Sequence, residues 1–102
     1  MDAPEHRAGS VVELVGVLRA LGDPIRLQIV CILDRAEGAI ACNELPIPVS
    51  KSTTSHHLKL LREAGVVEAT VRGTRHYYTV RKGYLAERFP GLLESVLRAV
   101  PS

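Results

Sequence analysis

Cysteine, aromatic residues and long apolar runs are all scarce in this 102-residue sequence. Two cysteines, Cys31 and Cys42, are too few for a disulfide framework or a four-cysteine zinc site, so neither device substitutes for a hydrophobic core. Aromatic residues make up 4% and Trp is absent, which leaves a base-stacking platform for single-stranded nucleic acid poorly supplied. No apolar run approaches the roughly 18 to 20 residues that cross a bilayer, and residues 1–7 lack the apolar stretch of a secretory signal. A cytoplasmic protein with no membrane partner is expected. Internal repeats, low-complexity segments and Gly- or Ser-rich linkers are missing too. What is present, 46% hydrophobic and 24% charged residues, is the balance of a chain that folds, and the length suits one domain with one core. The expected division is a flexible tail over residues 1–9 and a folded domain over 10–100.

Net charge is only +2, but it is unevenly spread. Residues 50–82 hold seven Lys and Arg against two Glu, a local +5, while the rest of the chain sums to −3. His56, His57 and His76 lie in the same third. Such asymmetry suggests a footprint for a polyanion, nucleic acid first, with a solvated charged face as the plainer reading.

Apolar spacing divides the chain into elements. Val11, Leu14, Val15, Leu18 and Leu21 follow the i, i+3, i+4, i+7 pattern of a helix that Ser10 can cap and Gly22 can stop. Asp23 and Pro24 suit the cap and first position of a second helix running to about Arg35, apolar nearly all round and hence central. Ala39-Ile40-Ala41 reads as a short extended piece, and Asn43-Glu44-Leu45 as the start of a brief helix limited by Pro46 and Pro48. A longer helix is predicted from Lys51 to Ala64, capped by Ser50 and ended by Gly65. The period then changes from 3.6 to 2: Val66 to Val71 and Arg75 to Val80 predict a β-hairpin around Arg72-Gly73-Thr74. Helical spacing returns in Leu85, Phe89, Leu92, Leu93, Val96, Leu97 and Val100, divided at Pro90-Gly91. The fold class is mainly α with a small hairpin, in the order of a winged helix-turn-helix.

On the long helix, Ser52, Ser55, His56 and Lys59 share one face with no apolar residue, opposite a stripe of Leu58 and Leu61 with Thr54 and Ala64. Short hydroxyls, an imidazole and an ammonium can approach base edges and phosphates closely. The Ser and Thr density at Ser50, Ser52, Thr53, Thr54 and Ser55 is poor for helix propensity and points to selection for contact. Adjacent His56 and His57 point about 100° apart and do not make a metal pair; His57 is expected beside the core with its ring hydrogen-bonded. No Ser/His/Asp order, phosphate loop or carboxylate pair argues for an enzyme.

Leu21-Gly22-Asp23-Pro24-Ile25-Arg26-Leu27-Gln28-Ile29, the stretch from Ser50 to Val67, and Arg72-Gly73-Thr74-Arg75-His76-Tyr77-Tyr78 resemble the ArsR-type winged-helix transcriptional regulators over roughly residues 14–81. The resemblance implies a homodimeric repressor on an inverted-repeat operator in double-stranded DNA, dimerised through its first and last helices. It places Lys51, Ser52, Ser55 and His56 in the major groove and Arg72, Gly73, Thr74 and Arg75 on the wing; Thr53 and Lys59, on the same helix, complete the expected DNA-binding set. Val11, Leu14, Val15 and Leu18 with Leu92, Leu93, Val96 and Leu97 are the expected dimer interface, since these stripes exceed what one small domain needs. Two metal sites recur among such regulators, and neither is complete: Ala41 and Asn43 stand at the cysteine positions, and the last helix offers Glu87 and Glu94 without His or Cys. No metal or cofactor is expected. The inducer stays open between a thiol switch through Cys31 and Cys42, a small organic ligand and none; a metal- or redox-responsive repressor and a non-specific architectural DNA binder are the alternatives in function.

Overall fold

A computed structural model describes residues 9–101. Helix α1 spans Val11–Leu21 and α2 spans Pro24–Arg35. Strand β1, Ile40–Ala41, runs into a 3-10 turn at Cys42–Glu44, followed by α3, Lys51–Glu63. Strands β2, Val67–Arg72, and β3, Arg75–Val80, form the hairpin, and α4, Lys82–Arg88, and α5, Leu92–Ala99, close the fold. No described helix is long and apolar enough to cross a membrane.

The helix starts follow the capping chemistry in the sequence. Ser10 and Glu13 exchange hydrogen bonds at 3.0 Å as a reciprocal capping box. Asp23 Oδ2 accepts from the amides of Ile25 and Arg26, with Pro24 in the first turn. Ser50 Oγ accepts from the Thr53 amide at 3.2 Å. These caps fix where α1, α2 and α3 begin, and therefore how they meet around the buried side chains Ile29, Val30, Leu58, Leu61, Val66 and Val67. Tyr78 from β3, Leu85 from α4 and Phe89 just after α4 join the same cluster.

Three details differ from the sequence-based expectation. The hairpin is part of a three-stranded antiparallel sheet in the order β1-β3-β2, because Ile40 and Ala41 pair with Tyr78 and Tyr77. Its turn is two residues long rather than three: Arg72 pairs with Arg75, and Gly73 supplies the single positive φ, +64°, as a type II′ turn requires. The brief helix after β1 is one 3-10 turn, with Glu44 Oε1 accepting from the Ala41 amide at 3.1 Å. Pro46 and Pro48 have no N–H to extend it. The expected tail over residues 1–9 lies outside the described residues except for Gly9, which is held: its amide donates to the Arg88 carbonyl at 3.1 Å, and the Phe89 ring occupies the space a Cβ would need.

Gly65 ends α3 with φ +82°, and a Cβ there would stand 3.2 Å from the Tyr84 ring. Gly65→Ala is therefore expected to cost about 1–2 kcal/mol, read as a lower urea midpoint at unchanged slope. Gly16→Ala, inside α1 with nothing within 4 Å of the added methyl, should raise the midpoint, by about 0.5–1 kcal/mol. Equal shifts for both would remove the conformational argument at Gly65.

Candidate nucleic-acid interface

Helix α3 divides cleanly by burial. Thr54, Leu58 and Leu61 are buried and Ala64 is half-buried, while Lys51, Ser52, Thr53, Ser55, His56 and Lys59 are all exposed. The polar face therefore points away from the core along the length of the helix.

The hydroxyl cluster at its start has two uses. Ser50 caps the helix and donates to Thr53 Oγ1 at 3.0 Å, and the buried Thr54 donates back to the Ser50 carbonyl at 2.9 Å. The low helix propensity of Ser50, Thr53 and Thr54 thus serves the N-terminus, which narrows the expectation that the whole run is shaped for contact. Ser52 and Ser55 remain on the exposed face, and the His56 ring stands beside His57 with 6.1 Å between centroids.

The wing brings its cations to the same side. Lys51 and Ser55 of α3 and Arg75 and His76 of β3 line one cleft of about 260 Å³, floored by Ala41, Cys42, Asn43 and Tyr78. Arg72, Gly73, Thr74 and Arg75 are exposed at the tip. Arg72 and Arg75 face each other directly across the turn, a like-charge pairing that costs stability unless an anion answers it. Arg72 lies 5.5 Å from the centre of the Tyr77 ring. Arg75 reaches Glu44 at 4.0 Å. Its guanidinium pKa is raised by a hydrogen bond with Tyr77 and, more weakly, by Glu44.

Sequence reasoning left His76, Asn43 and Cys42 out of this site. His76 carried a signal, since it adjoins Arg75 in the basic third. Asn43 and Cys42 did not, because it is the pairing of β1 with β3 that carries the 3-10 turn alongside α3. Cys42 Sγ lies 3.7 Å from Ser55 Oγ, and both cysteines are free thiols. Burial and the nearby Cys42 push the Tyr78 hydroxyl pKa up, against a smaller effect of Arg62. Cys31 is buried in α2. Among the described residues, no three His, Cys, Asp or Glu side chains are grouped so as to hold a metal ion.

A second surface is apolar. Val11, Val15 and Leu18 of α1 are 76%, 41% and 45% exposed, with Leu14 half-buried against the core; Val17, Ala20 and Leu21 are the buried residues of α1. Leu92, Leu93, Val96 and Leu97 of α5 are half-buried, and no residue of α5 is buried. Leu14 and Leu92 line one cleft between the two helices.

Fold and site together define a winged helix-turn-helix protein. A family model described as a helix-turn-helix domain matches residues 21–70. The biofilm growth-associated repressor of Xylella fastidiosa is 32% identical over 83 residues, covering 81% of this chain and 70% of that protein. The solved structure of the transcriptional repressor BigR from Xylella fastidiosa matches with a TM-score of 0.69 at 28% identity, over 96% of this chain and 93% of that one. A homodimeric winged helix-turn-helix DNA-binding domain from Mycobacterium bovis, described as a possible ArsR-family transcriptional regulator, matches with a TM-score of 0.62 at 31% identity, over 86% and 71% of the two chains. The chain belongs to the ArsR-type winged helix-turn-helix family of DNA-binding transcriptional regulators.

Proposed function

We propose that the protein is a homodimeric repressor that binds an imperfect inverted repeat in double-stranded DNA in the cytoplasm, with α3 in the major groove and the hairpin tip on the neighbouring backbone. The observation that carries this reading is the cleft in which Lys51 and Ser55 meet Arg75 and His76, since it joins a groove-reading helix face to a phosphate-binding hairpin. The apolar faces of α1 and α5 support pairing of two copies about a two-fold axis, as does the homodimeric state of the Mycobacterium bovis domain. In this arrangement Ser55 and His56 read bases, Lys51, Ser52, Thr53 and Lys59 flank them, and Arg72, Gly73, Thr74 and Arg75 hold the backbone. No residue is assigned a catalytic role, and no metal a part in binding.

Binding selection on random double-stranded DNA tests the reading. The expected product is a palindrome with half-sites about one helical turn apart, roughly 34 to 36 Å. Its affinity should be the same with zinc, nickel, cadmium or arsenite present. Enrichment of no sequence would leave a non-specific DNA binder, and a metal-dependent loss above about tenfold would overturn the metal-independent part.

A further inference from the structure

We propose that Arg26 and His57 form a clamp that sets the angle at which α3 is presented to DNA, which makes both of them positioning residues for the DNA binding proposed above, on which the inference rests. Arg26 lies in the first turn of α2 and spends three donors on three places. Its Nε donates to the Ala20 carbonyl at 2.8 Å, its Nη2 to the Arg19 carbonyl at 3.3 Å, and its Nη1 to His57 Nδ1 at 3.2 Å. One side chain thus joins the last carbonyls of α1, the start of α2 and the middle of α3 across 31 residues of sequence. A planar guanidinium fork can reach all three at once, which a single ammonium cannot.

The third bond sets the state of the ring. A guanidinium only donates, so His57 Nδ1 must be the unprotonated acceptor and the ring hydrogen sits on Nε2. The His57 side chain is 13% exposed, and Asp23 Oδ2 stands 3.9 Å from the same Nδ1. Hydrogen bonding from the Arg26 amide, above all, holds the Asp23 carboxyl below its ordinary value, so it stays ionised. Among the described residues, the charged and titratable groups placed at the ring are Asp23, which caps α2, Arg26 of α2 and His56 on α3 itself; the Arg19 and Ala20 carbonyls of α1 take the other Arg26 donors, and the Arg19 side chain is exposed.

Protonating His57 converts Nδ1 from acceptor to donor. The bond from Arg26 is lost, two like charges face each other, and Asp23, 3.9 Å away, is the carboxylate at hand among the described residues. Helix α3 then exchanges its tie to the α1–α2 junction for one to the cap of α2. Ser52, Ser55, His56 and Lys59 ride on the same rigid helix, so a small rotation moves all of them against base edges at once. Phosphate contacts tolerate such a rotation better than base contacts do.

The test measures α3 orientation relative to α2 in the free protein by backbone residual dipolar couplings, at about pH 8 and about pH 5.5. Operator and random-DNA affinities are measured alongside. In the wild type, acid is expected to reorient α3 and to lower the operator-to-random ratio about tenfold. His57→Asn places an amide oxygen near the Nδ1 position and cannot take up the proton, so the orientation of α3 should hold at both pH values. His56 and His76 are common to both proteins, so the acid step is read in the orientation of α3, where the two proteins differ by His57. Arg26→Lys and His57→Leu should show an α3 orientation displaced from that of the wild type already at pH 8; if His57→Leu does not fold, Arg26→Lys and His57→Asn still decide. An unchanged α3 in Arg26→Lys, or an acid step retained by His57→Asn, overturns the clamp. If the wild type prefers no sequence, the DNA-binding reading falls, and the orientation of α3 still decides the clamp.

Discussion

Operator affinity is expected to fall by about a hundredfold when Ser55 and His56 are both replaced by alanine, while affinity for random DNA hardly changes. Each side chain sits on the exposed face of α3, and a base contact is worth roughly 1–3 kcal/mol of discrimination, so two modest ones suffice. Arg75→Ala should behave differently. Its partner in this reading is a phosphate, so operator and random DNA should lose similar factors and the slope of log affinity against log salt should shrink by about one. Titrations of both DNAs at several salt concentrations separate the two outcomes. Equal losses on both DNAs for all three substitutions would erase the division between a reading helix and a holding wing.

Leu93→Glu in α5 and Val11→Glu in α1 are each expected to yield monomers with operator affinity lowered by more than about a hundredfold. In the proposed dimer either carboxylate would be buried without a partner, at a cost of several kcal/mol. The pair guards against a trivial explanation. Leu93 is half-buried within its own protomer, where a charge also harms the fold, but Val11 is 76% exposed there, so Val11→Glu leaves the isolated protomer intact. Sedimentation equilibrium with far-UV circular dichroism reads both properties. Dimers that persist in both variants, with operator binding unchanged, would place the interface elsewhere.

The parts of this fold that were legible in the sequence are those governed by neighbours along the chain. Ser10, Asp23 and Ser50 announce helix starts, Gly65 a helix end, and the switch from a 3.6 to a 2 period announces the hairpin, because each depends on residues within one or two turns. The outward face of α1 was half legible. Periodicity shows that Val11, Leu14, Val15 and Leu18 share a side, but which side meets the core depends on Val17, Ala20 and Leu21 finding α2. Pairing of the two residues of β1 with β3 is a contact between distant segments and leaves no local pattern. The tie from Arg26 to His57 is hidden for the same reason, although a ring hydrogen bond at His57 was foreseeable from its place next to the inward stripe. At the candidate site, the basic residues were readable from charge alone, whereas their convergence in one cleft needed the sheet.

That sheet has a consequence for how quickly the protein finds its site. Because β3 lies between β2 and β1, the wing is anchored on its inner side to the segment that leads into α3, and its base is closed by the bond from the Arg81 amide to the Val66 carbonyl at 2.9 Å. The spacing between hairpin tip and helix face is thus set before any DNA arrives. Little ordering entropy remains to be lost on docking, and the encounter is governed by diffusion and by attraction between the basic third of the chain and the phosphates. Association should therefore be fast and strongly salt-dependent, with differences among DNA sequences expressed in how slowly the complex comes apart.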